Sequence, residues 1–210
     1  MIWFRMRYSL FSIILFLGCA SDYKSLSKIP VNQSCITKLR PQGIATSWYG
    51  ASIDVVGKHI SGLLLVKEMP DHSNRIVFTN EVGFKFLDFE FASQGGFKVH
   101  HILPQLDKKP VIRLLKNDFA LLLGIPFEVA DWQAWERGDE IFYGVTQKKE
   151  TAYFITDKDC ASLQRVESGS KRKRKVSIVF RGKNPDQPDS IRLQHHTFAM
   201  QIALKKLTKE

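Results

Sequence analysis

Alternating apolar and polar positions dominate the chain from Ile44 onward and predict a series of short β-strands. In the first half, turn sequences rich in glycine, proline, aspartate and asparagine separate five apolar runs. Short strands that follow one another through such turns are typical of an antiparallel meander. The predicted strands cover residues 49–55, 60–67, 75–79, 84–91 and 97–103.

The spacing of apolar residues changes to a helical period over 110–123, and Gly124 supplies a stop signal. In the segment that follows, Trp132 and Trp135 are three residues apart and would share one face of a helix, where they would pack in the core or touch a ligand or membrane. Together with the later strands, this pattern predicts an α+β fold in which a strongly curved antiparallel sheet of about ten strands, a half-open barrel, wraps around one or two helices. The later predicted strands cover 141–145, 151–156, 162–166, 176–181 and 191–204.

The first twenty residues have the organisation of a bacterial export signal. Arg5 and Arg7 precede an apolar run over 8–17, which is too short to span a bilayer, so we expect residues 1–18 to be a signal peptide. The stretch Leu15-Phe16-Leu17-Gly18-Cys19 resembles the lipobox of bacterial lipoproteins. The resemblance implies that Cys19 carries diacylglycerol and an N-linked acyl chain such as palmitate. The alternative is an ordinary signal peptide whose cysteine is incidental.

The remaining chain divides into a polar segment and one domain. Residues 19–42 have no sustained period and are interpreted as the lipidated cysteine and a tether, with a single domain over 43–210. Ala20 in place of aspartate resembles the sorting pattern for the outer membrane, which implies a lipid-anchored protein facing the periplasm. Cys35 and Cys160 then form an even pair in an oxidising compartment, either bridged across 125 residues or left as two free thiols.

Composition and charge narrow the choice of partners. The chain has 210 residues, 44% hydrophobic and 25% charged, which excludes a disordered chain and a multi-span membrane protein. A net charge of +10 favours anionic partners. The basic run Lys171, Arg172, Lys173, Arg174 and Lys175 is interpreted as a contact for lipid headgroups or acidic envelope glycan rather than nucleic acid, because a signal peptide would export the chain from the cytoplasm. A solvated hairpin loop that protects an edge strand explains the run equally well.

The chain contains none of the common hydrolase, zinc-protease, phosphate-loop or Cys-x-x-Cys motifs, and we expect no enzyme activity, cofactor or metal. Asp88 and Glu90 share one face of a predicted strand, as a half-solvated strand requires. A hydrolase that uses these carboxylates with a histidine is the least favoured alternative. A metal site would require His100 and His195 to meet across the sheet beside Asp88 or Glu90.

The order of elements resembles the lipoprotein-localisation fold, called LolA/LolB-like. The resemblance rests on the run Ser61-Gly62-Leu63-Leu64-Leu65-Val66, the strands over 84–91 and 97–103, the helix and the final strand. It implies a half-open barrel with an apolar groove for acyl chains or a lipoprotein substrate. A structural or assembly lipoprotein that binds an envelope protein without a ligand cavity is the alternative function. The expected groove residues are Leu64, Val66, Phe78, Phe97, Val99, Leu115, Phe119 and Leu122.

Overall fold

A computed structural model describes residues 21–39, 44, 46–125, 131–147, 149–170, 172–182 and 188–207. The predicted signal peptide 1–18, Cys19 and Lys171 lie outside the described residues. Within the described part there are two helices, α1 Gln33–Ile36 and α2 Lys109–Leu123. The strands are β1 Ser27–Ile29, β2 Ser47–Val55, β3 Lys58–Glu68, β4 Asn74–Thr79, β5 Lys85–Phe91, β6 Phe97–Ile102, β7 Gln133–Arg137, β8 Glu140–Gln147, β9 Glu150–Asp157, β10 Leu163–Gly169, β11 Arg174–Arg181, β12 Ser190–His195 and β13 Met200–Lys206.

All thirteen strands belong to one antiparallel sheet in the order β1-β7-β8-β9-β10-β11-β12-β13-β2-β3-β4-β5-β6. Most neighbours in the sheet are also neighbours in sequence, so the two predicted meanders are confirmed. They join where β13 pairs with β2, with Met200 opposite Val55. Over the described residues β1 and β6 are the two edges, so the sheet is not closed into a barrel.

The sheet has more strands than the sequence pattern predicts. Short β1 and β7 add two, and the single strand predicted over 191–204 is two strands, β12 and β13. The reversal between them, Thr197-Phe198-Ala199, contains no glycine, proline, asparagine or aspartate. Because this reversal carries no turn signal, the apolar alternation on both sides of it predicts one continuous strand.

One apolar cluster between helix α2 and the sheet forms the main core. The helix has Pro110 in its first turn, and Gly124 ends it in a left-handed conformation at φ 64°, as predicted. Its buried face includes Leu115, Phe119 and Leu122. Burying each such side chain contributes about 1.5 to 3 kcal/mol, so the helix is held by packing against the sheet.

The tryptophan pair does not share one face, because the segment forms strand β7 rather than a helix. Side chains three residues apart in extended chain point to opposite sides of a sheet. Trp132 packs edge-on against Phe154 in the main core, whereas Trp135 packs against Tyr153 on the other face of the sheet.

Residues 21–39, within the segment interpreted as a tether, fold onto the domain. Tyr23 is 6% exposed and joins a second apolar cluster on the opposite face of the sheet from α2. Strand β1 then pairs with β7, and Cys35 and Leu39 are buried in the main core. None of the helices in the described residues has the length and apolar character needed to cross a membrane.

Candidate functional site: an apolar seam between helix and sheet edge

The structure brings the eight predicted groove residues into one apolar cluster, but with unequal exposure. Six of them are buried to 8% exposure or less, on β3, β4 and α2. Phe97 and Val99 on the edge strand β6 are only half-buried. Of these eight residues, the two whose apolar surface a ligand could reach therefore lie at the β6 edge, and the other six form the packed floor behind them.

Helix α2 lies beside this edge and completes a seam. Lys116 of the helix lies 5.1 Å from the centre of the Phe97 ring, and Phe119 packs edge-on against Phe89 at 6.3 Å. Val111 and Leu114 at the start of the helix are half-buried against the same core. We call Phe97, Val99, Val111 and Leu114 the apolar seam.

A polar pair lies inside the core next to this floor. Asp118 of α2 and His195 of β12 are both buried, and Asp118 Oδ2 is 2.9 Å from His195 Nε2. Burial raises the pKa of Asp118, against the opposing effect of the hydrogen bond and charge of His195. No pattern in the sequence predicted that these two residues would pair. The available signal was Asp118 itself, a charged residue within the helical spacing of the buried positions 115, 119 and 122.

A separate surface pocket of about 410 Å³ lies where β10 begins and β11 ends. Leu163, Arg165 and Phe180 contribute to its wall, and none of the eight predicted groove residues does. Arg165 is already committed to Glu140 and Glu167, so its charge is balanced within the protein. The pocket is therefore distinct from the seam.

The described headgroup residues, 172–175, lie in the turn after β10 and at the start of β11, and they divide into two groups. Arg174 pairs with the buried Glu167, and Lys175 pairs with Glu150. Arg172 and Lys173 are exposed, and no acidic side chain among the described residues pairs with them. Only Arg172 and Lys173 among the described cations of this run are free to meet an external anion.

The N-terminal segment is fixed to this hairpin. Asp22 donates its backbone N–H to the carbonyl of Arg172 at 3.1 Å, and its carboxylate accepts the N–H of Arg174 at 2.8 Å. Tyr23 next to it donates to Glu167 at 3.1 Å. Burial and the charge of Glu167 raise the pKa of Tyr23, so its hydroxyl remains a donor. No local pattern in the sequence indicates these contacts, because they join positions about 150 residues apart.

The candidate catalytic groups are held in separate pairs. Asp88 is 2% exposed and accepts hydrogen bonds from Arg75 and Lys85, and Glu90 lies 2.6 Å from His100. Burial alone would raise the pKa of Asp88, but these two cations outweigh it and lower the pKa.

His195 bonds to Asp118, so the structure does not bring it together with His100. Within the described residues, no group of three or more histidine, cysteine, aspartate or glutamate side chains is arranged to hold a metal ion.

Cys35 and Cys160 are joined by a disulfide, with their Cα atoms 5.7 Å apart. Cys160 follows β9, and the Tyr143 hydroxyl lies 3.4 Å from its sulfur. The bond closes 125 residues of chain and fixes α1 to the main core.

Comparisons with known proteins bear on the fold. No protein-family model matches the sequence, and no curated protein matches it. The solved structure of a LolA superfamily protein from Nitrosomonas europaea aligns with a TM-score of 0.51 at 7% identity, over 86% of this chain and 93% of that one. A DUF1329 family protein from Desulfovibrio piger aligns with a TM-score of 0.41 at 10% identity, over 83% and 89% of the two chains. With its open antiparallel sheet packed on a helix, this chain has a LolA-like fold.

Proposed function

We propose that this protein is a non-enzymatic, lipid-anchored lipoprotein of the bacterial cell envelope, and that its apolar seam binds the acyl chains of a lipid or a lipoprotein. The observation that carries the proposal is the half-buried apolar surface of Phe97 and Val99 on β6, which is an edge strand among the described residues, beside the half-buried start of α2. The LolA-like fold supports it, because that fold is associated with an apolar cavity between sheet and helix.

The chemistry of the seam suits a ligand that has an acyl chain and one charged end. Phe97, Val99, Val111 and Leu114 offer apolar contact without a hydrogen-bonding group, as an acyl chain requires. Lys116 is exposed at the rim of the seam, over the Phe97 ring. Its ammonium group is placed to pair with a carboxylate or phosphate at the head of the ligand.

The membrane anchor in this proposal is Cys19, acylated after removal of residues 1–18, at the outer membrane and facing the periplasm. The lipobox-like sequence supports the anchor, and the cysteine count agrees with it, because Cys35 and Cys160 bond to each other and Cys19 is the remaining cysteine. A long tether is not needed, since the residues described from Ser21 onward already pack on the domain.

Filling the seam tests its role in binding. We expect Val99→Trp to lower the uptake of a fluorescent fatty acid at least tenfold, because the indole would occupy the space beside Phe89 and α2. Val77→Trp is the matched control. Val77 is also a half-buried strand valine, but it alternates with the buried Ile76 and Phe78 and so faces away from the core.

Circular dichroism of both variants checks that they remain folded. Equal uptake by the two variants would contradict the seam as the binding site. An absence of uptake by the unsubstituted protein would contradict acyl-chain binding itself.

A further inference from the structure

Four neighbouring hairpin tips lie at one end of the sheet. The register sets Thr151 opposite Gly169, Val176 opposite His195 and Met200 opposite Val55, so the turns beside these residues share one end. We call their described residues, Lys149, 170, 172–173, 196–199 and 56–57, the basic rim.

Cations predominate on the basic rim, whereas the opposite end of the sheet has mixed charge. The basic rim carries Lys149, Arg172 and Lys173, and its described residues include no carboxylate; the next turn at this end, between β4 and β5, carries the exposed Glu81. The loops at the opposite end carry the exposed Asp71 and Asp159, and Asp139 there pairs with Lys158 at 3.2 Å. An anionic surface would therefore attract the rim more strongly than the opposite loops.

The rim also presents apolar side chains to the exterior. Val56 is 73% exposed at its tip, and Phe198 on the adjacent tip is 38% exposed and packs against the His195 ring at 4.7 Å. The Val56 N–H donates to the carbonyl of Ala199 at 2.9 Å, which holds the two tips together. Cations beside exposed apolar groups are the combination that the interface of an anionic bilayer favours.

The contacts of Asp22 limit how far from the hairpin a lipid on Cys19 can lie. Asp22 forms hydrogen bonds with the hairpin backbone, donating to the carbonyl of Arg172 and accepting from the N–H of Arg174. Two residues, Ala20 and Ser21, separate Cys19 from Asp22, and each of the three Cα–Cα steps spans at most 3.8 Å, so the two Cα atoms lie within about 11 Å. A headgroup layer is about 5 to 7 Å deep on each side of a bilayer, and an anchor this close brings the tip to the headgroups.

We propose that acylated Cys19 holds the basic rim directly against anionic phospholipid headgroups, so that the domain stands on its membrane in one orientation with no flexible tether. This inference rests on the proposed lipidation of Cys19 and adds the surface that faces the lipid. Asp22 is a positioning residue, since its hydrogen bonds hold the hairpin close to the anchor at Cys19.

Lysine acylation of the intact lipidated protein tests this orientation. The protein is reconstituted in nanodiscs that contain phosphatidylglycerol, treated briefly with a water-soluble acylating reagent, and digested for mass spectrometry. We expect Lys149 and Lys173 to react at least fivefold more slowly than in detergent. Lys158 is the matched control, because it is a 56% exposed lysine at the opposite end of the sheet, and its rate should not change.

A second variant distinguishes positioning from simple attraction. Asp22→Ala removes the carboxylate that accepts from the hairpin, and we expect the protection of Lys173 to fall at least twofold while Cys19 stays acylated. Equal slowing of Lys173 and Lys158 on transfer from detergent to nanodiscs, on protein whose mass includes the lipid, would overturn the orientation and leave the lipoprotein assignment intact. A mass without lipid on Cys19 would overturn both.

Discussion

Glu167 provides the most demanding test of how the N-terminal segment is held. Its carboxylate is 2% exposed and accepts hydrogen bonds from Tyr23 at 3.1 Å, Arg165 at 2.9 Å and Arg174 at 3.0 Å. Glu167→Gln keeps the shape but removes the charge and one acceptor. Hydrogen bonds to a charged group contribute about 1.5 to 3 kcal/mol each, and breaking a buried ion pair costs about 3 to 5 kcal/mol. Because Arg165 retains Glu140 as a partner, we expect a loss near the lower limit, about 3 kcal/mol.

Urea unfolding measures this loss. With an m value of about 2.5 kcal/mol/M for a chain of this size, the midpoint should fall by about 1.2 M. Tyr23→Phe alone should cost about 1.5 kcal/mol, and almost nothing once Glu167 is already glutamine, because the two residues share one hydrogen bond. Glu150→Gln is the control, since its pair with Lys175 is exposed and should contribute less than about 1 kcal/mol. A midpoint shift for Glu167→Gln no larger than the shift for Glu150→Gln would refute the claim that this hydrogen-bond network holds the N-terminal segment on the domain.

Three further outcomes follow from other contacts. Reduction of the Cys35–Cys160 bond should lower the free energy of unfolding by about 5 kcal/mol, from the entropy of a 125-residue loop, and reductant should not affect a variant with both cysteines replaced by serine. The cationic partners of Asp88 lower its pKa in the folded state. The stability that this ion pair contributes is therefore present above about pH 3.9 and is lost as the pH falls through the folded-state pKa of Asp88. Acid titration monitored by circular dichroism should therefore unfold the native protein with a steeper loss of stability than Asp88→Asn, and equal slopes would contradict the ion pair. Gly144→Val should destabilise by more than about 2 kcal/mol in thermal unfolding, because a Cβ there would lie 2.6 Å from the Trp135 ring, and a smaller effect would argue against that packing.

Local pattern was enough to predict most of the fold. The predicted strands and the helix over 110–123 have counterparts in the structure, because alternation and helical spacing record which face of each element is buried. The failures arose where local signals were weak or misleading. Strand β7 was missed because Trp132 and Trp135 are three apart, a spacing that fits a helix face and also fits opposite faces of a strand.

The candidate site was less predictable than the fold. The eight groove residues do cluster, but the sequence could not distinguish the six that fill the core from the two left at the β6 edge, because exposure depends on where the sheet ends. The Asp118–His195 pair and the Asp22 contacts with the β10–β11 hairpin join distant parts of the chain. Only the assembled fold brings such residues together.

Native mass spectrometry tests the central claim of acyl-chain binding most directly. The protein beginning at Ala20, exported with a cleavable signal and with its disulfide intact, is released gently and weighed before and after extraction with acidic organic solvent. We expect a discrete added mass that the solvent removes; Val99→Trp should lack this mass, and Val77→Trp should retain it. A bare mass for the unsubstituted protein, together with no uptake of added fatty acid, would contradict acyl-chain binding in the seam.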